Sequence, residues 1–208
     1  MSEKILPAST PAPLDARRFR DTMGLFATGV AVIATTTADD EVQAMTANAV
    51  SSVSLDPMLV LFCPGKQTRF AQSLAGPPGQ PADRPLAGLR GFSINFLRDD
   101  QQALSTYFAG SWKEPVAPPF RFVPSPCAVR LEGCMASLDC VPEVVQEMGD
   151  HWLVIGRVRG LHQGIPPHRP LLFFNGTYRH VDFTECDPAP DLANAHDEPA
   201  HIFYDHGP

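Results

Sequence analysis

The sequence predicts a mainly β fold, a barrel with a few peripheral helices. Three observations carry this prediction. Segments rich in β-branched and aromatic residues recur along the 208-residue chain. They do not alternate regularly with helical segments, as a doubly wound parallel sheet would require. The two longest meet at Gly149-Asp150, a hairpin turn.

Residues 1–13 are polar and proline-punctuated, and read as a disordered arm. Asp15 is placed to cap a helix over residues 16–26, with Gly29 as its stop; Phe19, Met23 and Phe26 recur at helical spacing and should lie against a core. Residues 30–37 form the first strand, and Ala38-Asp39-Asp40-Glu41 a polar turn. Residues 42–55 should pair back as a strand, then leave the sheet through serine-rich backbone. Residues 58–63 are a short continuous apolar run ended by Pro64-Gly65, a buried strand. Residues 66–74 have helical character with Gly76 as a stop, 91–97 form a strand, and 99–108 form a helix capped by Asp99. Strands follow at 127–131, 134–146, 151–161 and 171–175. Two proline-rich stretches, 76–90 and 114–126, interrupt the pattern. The organisation expected is thus an arm (1–13), one barrel domain (14–183) and an acidic tail containing Pro and His (184–208).

Composition narrows the function. An apolar content of 44% suits one domain with a sizeable core, and no stretch resembles a membrane span or a secretory signal. Five cysteines (Cys63, Cys127, Cys134, Cys140, Cys186) with no C-x-x-C pair argue against a disulfide framework and a thiolate zinc site, so a reducing, cytoplasmic location is expected. The net charge of −7 disfavours nucleic acid or an anionic membrane as partner. No G-x-G-x-x-G follows a strand and no P-loop occurs, so a dinucleotide would bind without a Rossmann fingerprint. An anionic cofactor would need cations concentrated locally beside small hydroxyl residues.

Residues 45–69 meet that requirement. Met-Thr-Ala-Asn-Ala-Val-Ser-Ser-Val-Ser-Leu-Asp-Pro places Thr46, Asn48, Ser51, Ser52 and Ser54 within a short reach, and the small side chains let backbone approach a flat ligand. Lys66, Thr68 and Arg69 then bring two cations and a hydroxyl to a helix start, where backbone N–H groups favour an anion. Short Ser/Thr stretches are also common turn chemistry, so from composition alone an irregular edge strand followed by a solvated helix face stands as an equal reading.

This segment resembles the flavin-binding signature of the short-chain flavin reductases, a family with an FMN-binding split barrel. Members read Met-Thr-Ala-Ser/Asn, then Ser-x-Ser-Leu-x-Pro, then a basic helix start. Phe19-Arg20-x-x-Met23-Gly24-x-Phe26-Ala27-Thr28-Gly29-Val30, residues 91–97, Gly149-Asp150-His151 and Arg169-Pro170-Leu171-Leu172-Phe173 are similar to further family segments, in order, over residues 16–182. Leu59-Val60-Leu61-Phe62-Cys63-Pro64 with Lys66 resembles the reductase components of two-component hydroxylases.

The resemblance implies NAD(P)H-dependent reduction of FMN or FAD, with the reduced flavin passed to a partner monooxygenase. It also implies a homodimer with the flavin near the subunit contact. Backbone and side chains of Thr46, Ala47 and Asn48 and of Ser51, Ser52, Val53 and Ser54 would hold the ring and ribityl chain. Lys66, Thr68 and Arg69 would hold the phosphate, Cys63 would lie within reach of the flavin, and Asn95 would line the pocket wall. His151 matches a family histidine beside the nicotinamide, and is the candidate catalytic residue as positioner or proton donor. No basic pair stands out for a 2′-phosphate, which favours NADH over NADPH. The alternatives are a flavoprotein that keeps its FMN as electron carrier, a non-catalytic flavin-binding or storage protein, and a haem- or pyridoxal-handling relative.

The remaining candidates are weaker. His196, His201 and His206 recur every five residues, which aligns on no helical face, and no metal site is expected. Trp112 and Trp152 read as packing residues, and Glu132, Asp139, Glu143 and Glu147 show no acid/base constellation. The loop at 76–90 reads equally as a border of the nicotinamide pocket or a dimer contact, or as a solvated insertion.

Overall fold

The computed structural model describes residues 14–74 and 86–182. The expected arm, the tail with its three histidines, Gly76 and most of the proline-rich loop lie outside the described residues.

Asp15 starts the first helix, α1 (Ala16–Met23), its carboxylate accepting from the N–H groups of Arg17 and Arg18 at 2.9 Å. The helix ends short of residue 26, at Gly24, whose N–H reaches Arg20 O at 2.8 Å. The strands that follow are β1 (Thr28–Gly29), β2 (Ala31–Thr36), β3 (Val42–Ala47), β4 (Val50–Leu55) and β5 (Met58–Phe62). Then come α2 (Arg69–Ser73), β6 (Phe92–Phe96), a 3₁₀ turn at Asp99–Gln101, α3 (Gln102–Phe108), β7 (Phe122–Pro124) and β8 (Val129–Leu131). The long pair β9 (Ala136–Met148) and β10 (His151–Gln163), with the short β11 (Leu172–Phe174) and β12 (Thr177–Arg179), completes the order.

Seven strands form one antiparallel sheet in the order β3-β2-β6-β9-β10-β5-β4. Its two edge strands, β3 and β4, are consecutive in sequence, and only Asn48 and Ala49 join them. Three Cα–Cα steps of about 3.8 Å reach at most about 11 Å. The sheet must therefore roll until its edges meet at that link, which makes a barrel with a seam: the split barrel of the expected fold class. The single strand expected over 42–55 is thus two strands on opposite sides of the seam.

Alternation along the strands sorts the interior. Ala31 and Ile33 of β2, Phe92 and Ile94 of β6, Val60 and Phe62 of β5, Cys140 of β9 and Val154 of β10 fill the barrel with Phe70 of α2 and Leu74 just after it. Phe62 meets Phe92 in a tilted pair at 5.0 Å and Phe70 edge-on at 6.2 Å between centroids. A second cluster outside the wall joins Val30, Val32, Leu97, Leu104, Leu131 and Leu171.

Several elements depart from the sequence expectation. No residue of α1 is buried, and Phe19, Met23 and Phe26 are 66%, 53% and 70% exposed, because the helix stands outside the wall, tied by Asn175 N–H to Gly24 O at 2.7 Å. Arg98 rather than Asp99 precedes the 3₁₀ turn, and the Gln101 amide oxygen accepts from its N–H at 2.9 Å. The strand expected at 171–175 is a hairpin: Asn175 and Gly176 take φ of +48° and +74°, the left-handed pair that a two-residue turn needs. β7 emerges from the second proline-rich stretch, where Phe120 and Phe122 stack against Phe108 at 5.0 and 5.8 Å.

Candidate functional site

The seam and the strands beside it bring most of the expected residues to one rim of the barrel. Register places Val50 of β4 and Val154 of β10 on either side of Phe62, the last residue of β5. Asn48-Ala49, Cys63-Pro64-Gly65 and His151 therefore sit at the same end. An isolated bridge between Gly65 and His151 closes the arrangement, with Lys66 N–H on Asp150 O at 3.0 Å and Trp152 N–H on Pro64 O at 2.9 Å. The hairpin turn that delivers His151 has Gly149 at φ +60°, where a side chain would be strained.

Along the seam, β4 is an edge strand that turns hydroxyls outward. Ser51, Ser52 and Val53 are exposed, as is Asn48, while Ser54 is half-buried and Ala47 buried. Val53 is the extra residue of a β-bulge, since Ser52 pairs with Val60 and Ser54 with the next partner, Leu59. Bulges bend an edge strand and re-aim its backbone, which suits a strand meant to follow a ligand. The Thr46 hydroxyl is committed elsewhere, donating to Ser105 O on α3 at 2.6 Å, so Thr46 reaches the seam through its backbone.

Beyond β5, Cys63 is half-buried, and burial pushes its thiol above the usual range, so at neutral pH it presents a neutral S–H. Thr68 caps α2: its Oγ1 accepts from Ala71 N–H at 3.2 Å and donates to Gly65 O at 2.7 Å. With five residues α2 is little more than one turn, so anion binding there would fall to the side chains of Lys66 and Arg69 rather than to a helix dipole. Arg69 is exposed. Lys66 lies 5.2 Å over the Trp152 ring and is engaged by the Glu147 carboxylate.

His151 is 48% exposed in its side chain, and its Nδ1 lies 2.8 Å from Asp150 Oδ1. Hydrogen bonding to His151, with the backbone and the imidazole charge, holds the Asp150 carboxyl below its ordinary range. At neutral pH the carboxylate therefore accepts and Nδ1–H donates. That fixes the tautomer and leaves Nε2 to face the rim. A Cβ on Gly65 would stand 3.6 Å from His151 Nε2 and 3.5 Å from Thr68 Cγ2, so glycine keeps the space before Nε2 open. A flat ligand of small thickness with an anionic end fits this donor set: open backbone edge, hydroxyls, two cations and a glycine-cleared histidine.

Asn95 does not belong to it. It is fully buried, donating both amide hydrogens, to Val32 O at 2.9 Å and Ser93 Oγ at 2.8 Å, while its Oδ1 accepts Leu131 N–H at 2.8 Å. The expected pocket-wall residue instead ties β2, β6 and β8 together. Around it lies a polar layer of Ser93, Ser137 and Asp139, in which Asp139 Oδ2 meets His162 Nε2 at 3.2 Å. Sequence reasoning also passed over Asp150 and Glu147, the partners of His151 and Lys66. The adjacency of Asp150 to His151 was a readable signal, whereas the Lys66–Glu147 contact spans 81 positions and had none.

The family model "Flavin reductase like domain" matches residues 23–182. The reductase subunit HsaB of a flavin-dependent monooxygenase from Rhodococcus jostii (strain RHA1) is 36% identical over 85% of this chain and 84% of its own. An NADH-dependent flavin reductase from Rhodococcus sp is 34% identical over 87% and 92%. The solved structure of the flavin reductase PheA2 superposes with a TM-score of 0.69 at 34% identity, covering 81% of this chain and 99% of that one. Among the described residues no helix is long and apolar enough to cross a membrane. The chain belongs to the flavin reductase-like domain family.

Proposed function

We propose that this protein uses NADH to reduce FMN or FAD and supplies the reduced flavin to a partner monooxygenase. NADPH is the less favoured donor. The observation that carries the reading is the convergence at one rim of the seam strand, the Lys66–Arg69 cations and the Asp150-oriented His151. The printed functions of the relatives, an NADH-dependent flavin reductase and a monooxygenase reductase subunit, support it.

Flavin and nicotinamide, when bound, would supply the hydride chemistry between them. The chain's own part is to orient, to shield and to handle a proton. Backbone of Thr46, Ala47 and Asn48 and of the bulged Ser51–Ser54 strand holds the ring edge with fixed donors, which stabilise negative charge without reorganising. Lys66 and Arg69 take the phosphate. Cys63 stays a neutral thiol beside the ring. His151 positions the nicotinamide and moves a proton at Nε2, its ring held by the Nδ1 contact to Asp150.

The protein works as a homodimer. Support comes from an exposed apolar set on and near α1, where Leu14, Phe19, Met23, Leu25 and Phe26 are each more than half exposed. Light scattering should give twice the 22.6 kDa chain mass.

NADH and NADPH oxidation by the purified protein, with and without FMN, FAD and riboflavin, tests the main reading. Turnover that rises with free flavin and saturates is the expected result. A protein-bound yellow chromophore with no such turnover would instead favour a retained-flavin carrier or storage protein.

A further inference from the structure

We propose that Glu147 is a built-in competitor for the flavin phosphate: it neutralises Lys66 in the empty site and must leave when the phosphate arrives. The inference rests on the reading that Lys66 holds that phosphate.

The two partners are not equally held. Lys66 sits on the turn after β5, its N–H bonded to Asp150 O, its ammonium 5.2 Å over the Trp152 ring and its side chain only 22% exposed. Glu147 lies opposite Trp152 in the β9–β10 register, and its side chain is 67% exposed. The lysine is therefore fixed and the glutamate is the partner able to swing into water. Among the described residues Arg69 has no carboxylate within 4 Å, so the counter-charge falls on one of the two cations only.

A phosphate dianion and a carboxylate cannot share one ammonium without close like-charge contact. Binding a phosphorylated flavin therefore includes breaking the Lys66–Glu147 pair, whereas binding riboflavin does not. Solvent-facing ion pairs of this kind shift equilibria by a few-fold. The expected consequence is a flavin site whose hold on phosphorylated flavin is weakened by a few-fold and whose release is hastened, which suits a protein that hands its flavin on.

Dissociation constants for FMN and riboflavin, read from flavin fluorescence quenching in wild type, E147Q, E147D, K66M and K66M/E147Q, test it. E147Q should tighten FMN about fivefold, slow its dissociation, and leave riboflavin unchanged. E147D should return FMN affinity toward wild type, and E147Q should have no effect in the K66M background. If K66M weakens FMN selectively while E147Q leaves FMN affinity where it was, Glu147 is no competitor, although Lys66 keeps its role. If K66M shifts FMN and riboflavin equally, or neither, the phosphate reading itself fails and the proposal falls with it.

Discussion

Two regions of this molecule share a composition and differ in nearly everything else. The seam strand with Ser51, Ser52 and Ser54 and the layer of Ser93, Asn95, Ser137 and Asp139 are both rich in small polar side chains on β-strands. The first lies at a sheet edge and is largely exposed. The second is fully buried, its register locking Asn95 against Ser137 and Ser93 against Asp139 beneath β8. In the layer, hydrogen bonds hold strands in register. On the rim, the β4 edge and Arg69 are exposed, and Lys66 is engaged by Glu147. Position in the sheet, rather than residue type, separates a site from a scaffold.

The sharpest way to test this contrast is to remove one group from each region. H151A is expected to lower kcat by about 100-fold, in the range of general acid–base contributions. Flavin affinity and Tm should stay near wild type, because the side chain is half-exposed. Equal losses of flavin binding and turnover would make His151 structural and blur the contrast. N95A should show the opposite signature: about 2–3 kcal/mol of stability lost in denaturant titration, since Leu131 N–H is left without its acceptor, and an unchanged flavin Kd. Lost flavin affinity at unchanged stability would put Asn95 back in the pocket wall.

The thiols sharpen the same line. Cys63 at the rim and Cys140 inside the barrel are both raised by burial, Cys140 up to about 12. Iodoacetamide should label Cys63 before Cys140, at a rate still climbing above pH 9, and should reach Cys140 only on unfolding. Rapid labelling of Cys63 at pH 7 would reveal a thiolate that this environment does not predict.

The smallest effect expected is that of the exposed pair Glu143–Arg157 across β9 and β10. The Arg157 hydrogen bond holds the Glu143 carboxyl below its ordinary range. Its contribution is present above the unfolded carboxylate range and is lost as pH falls through the lowered value. E143Q should therefore lower Tm slightly at neutral pH, and the difference from wild type should close as pH falls below about 4.5, so the variant's acid limb is shallower.

Much of this was legible in the sequence, for local reasons. The Asp15 cap, the Gly149-Asp150 hairpin and the strand at 92–96 follow from turn chemistry and short-range pattern, whereas the grouping of residues 46–69 came from the family resemblance. What escaped reading depends on partners distant in sequence. The break at Asn48-Ala49 exists because a sheet of seven strands closes there. Asn95 looked available because its three partners come from β2, from β6 itself and from β8. Phe19 and Met23 have the spacing of a core-facing helix, but periodicity does not say whether the covering surface belongs to the same chain. The Asn175-Gly176 turn was readable and was passed over.

The two-residue link at Asn48-Ala49 also bears on self-association. An open seven-stranded sheet carries two edges, each a template for unwanted strand addition. Here both edges converge on one seam, so the molecule has a single such weak point in this sheet. That point coincides with the candidate site, so a ligand lying along β4 would shield the edge as it binds. The empty protein should then be the form that aggregates first on storage, at a rate that added flavin slows.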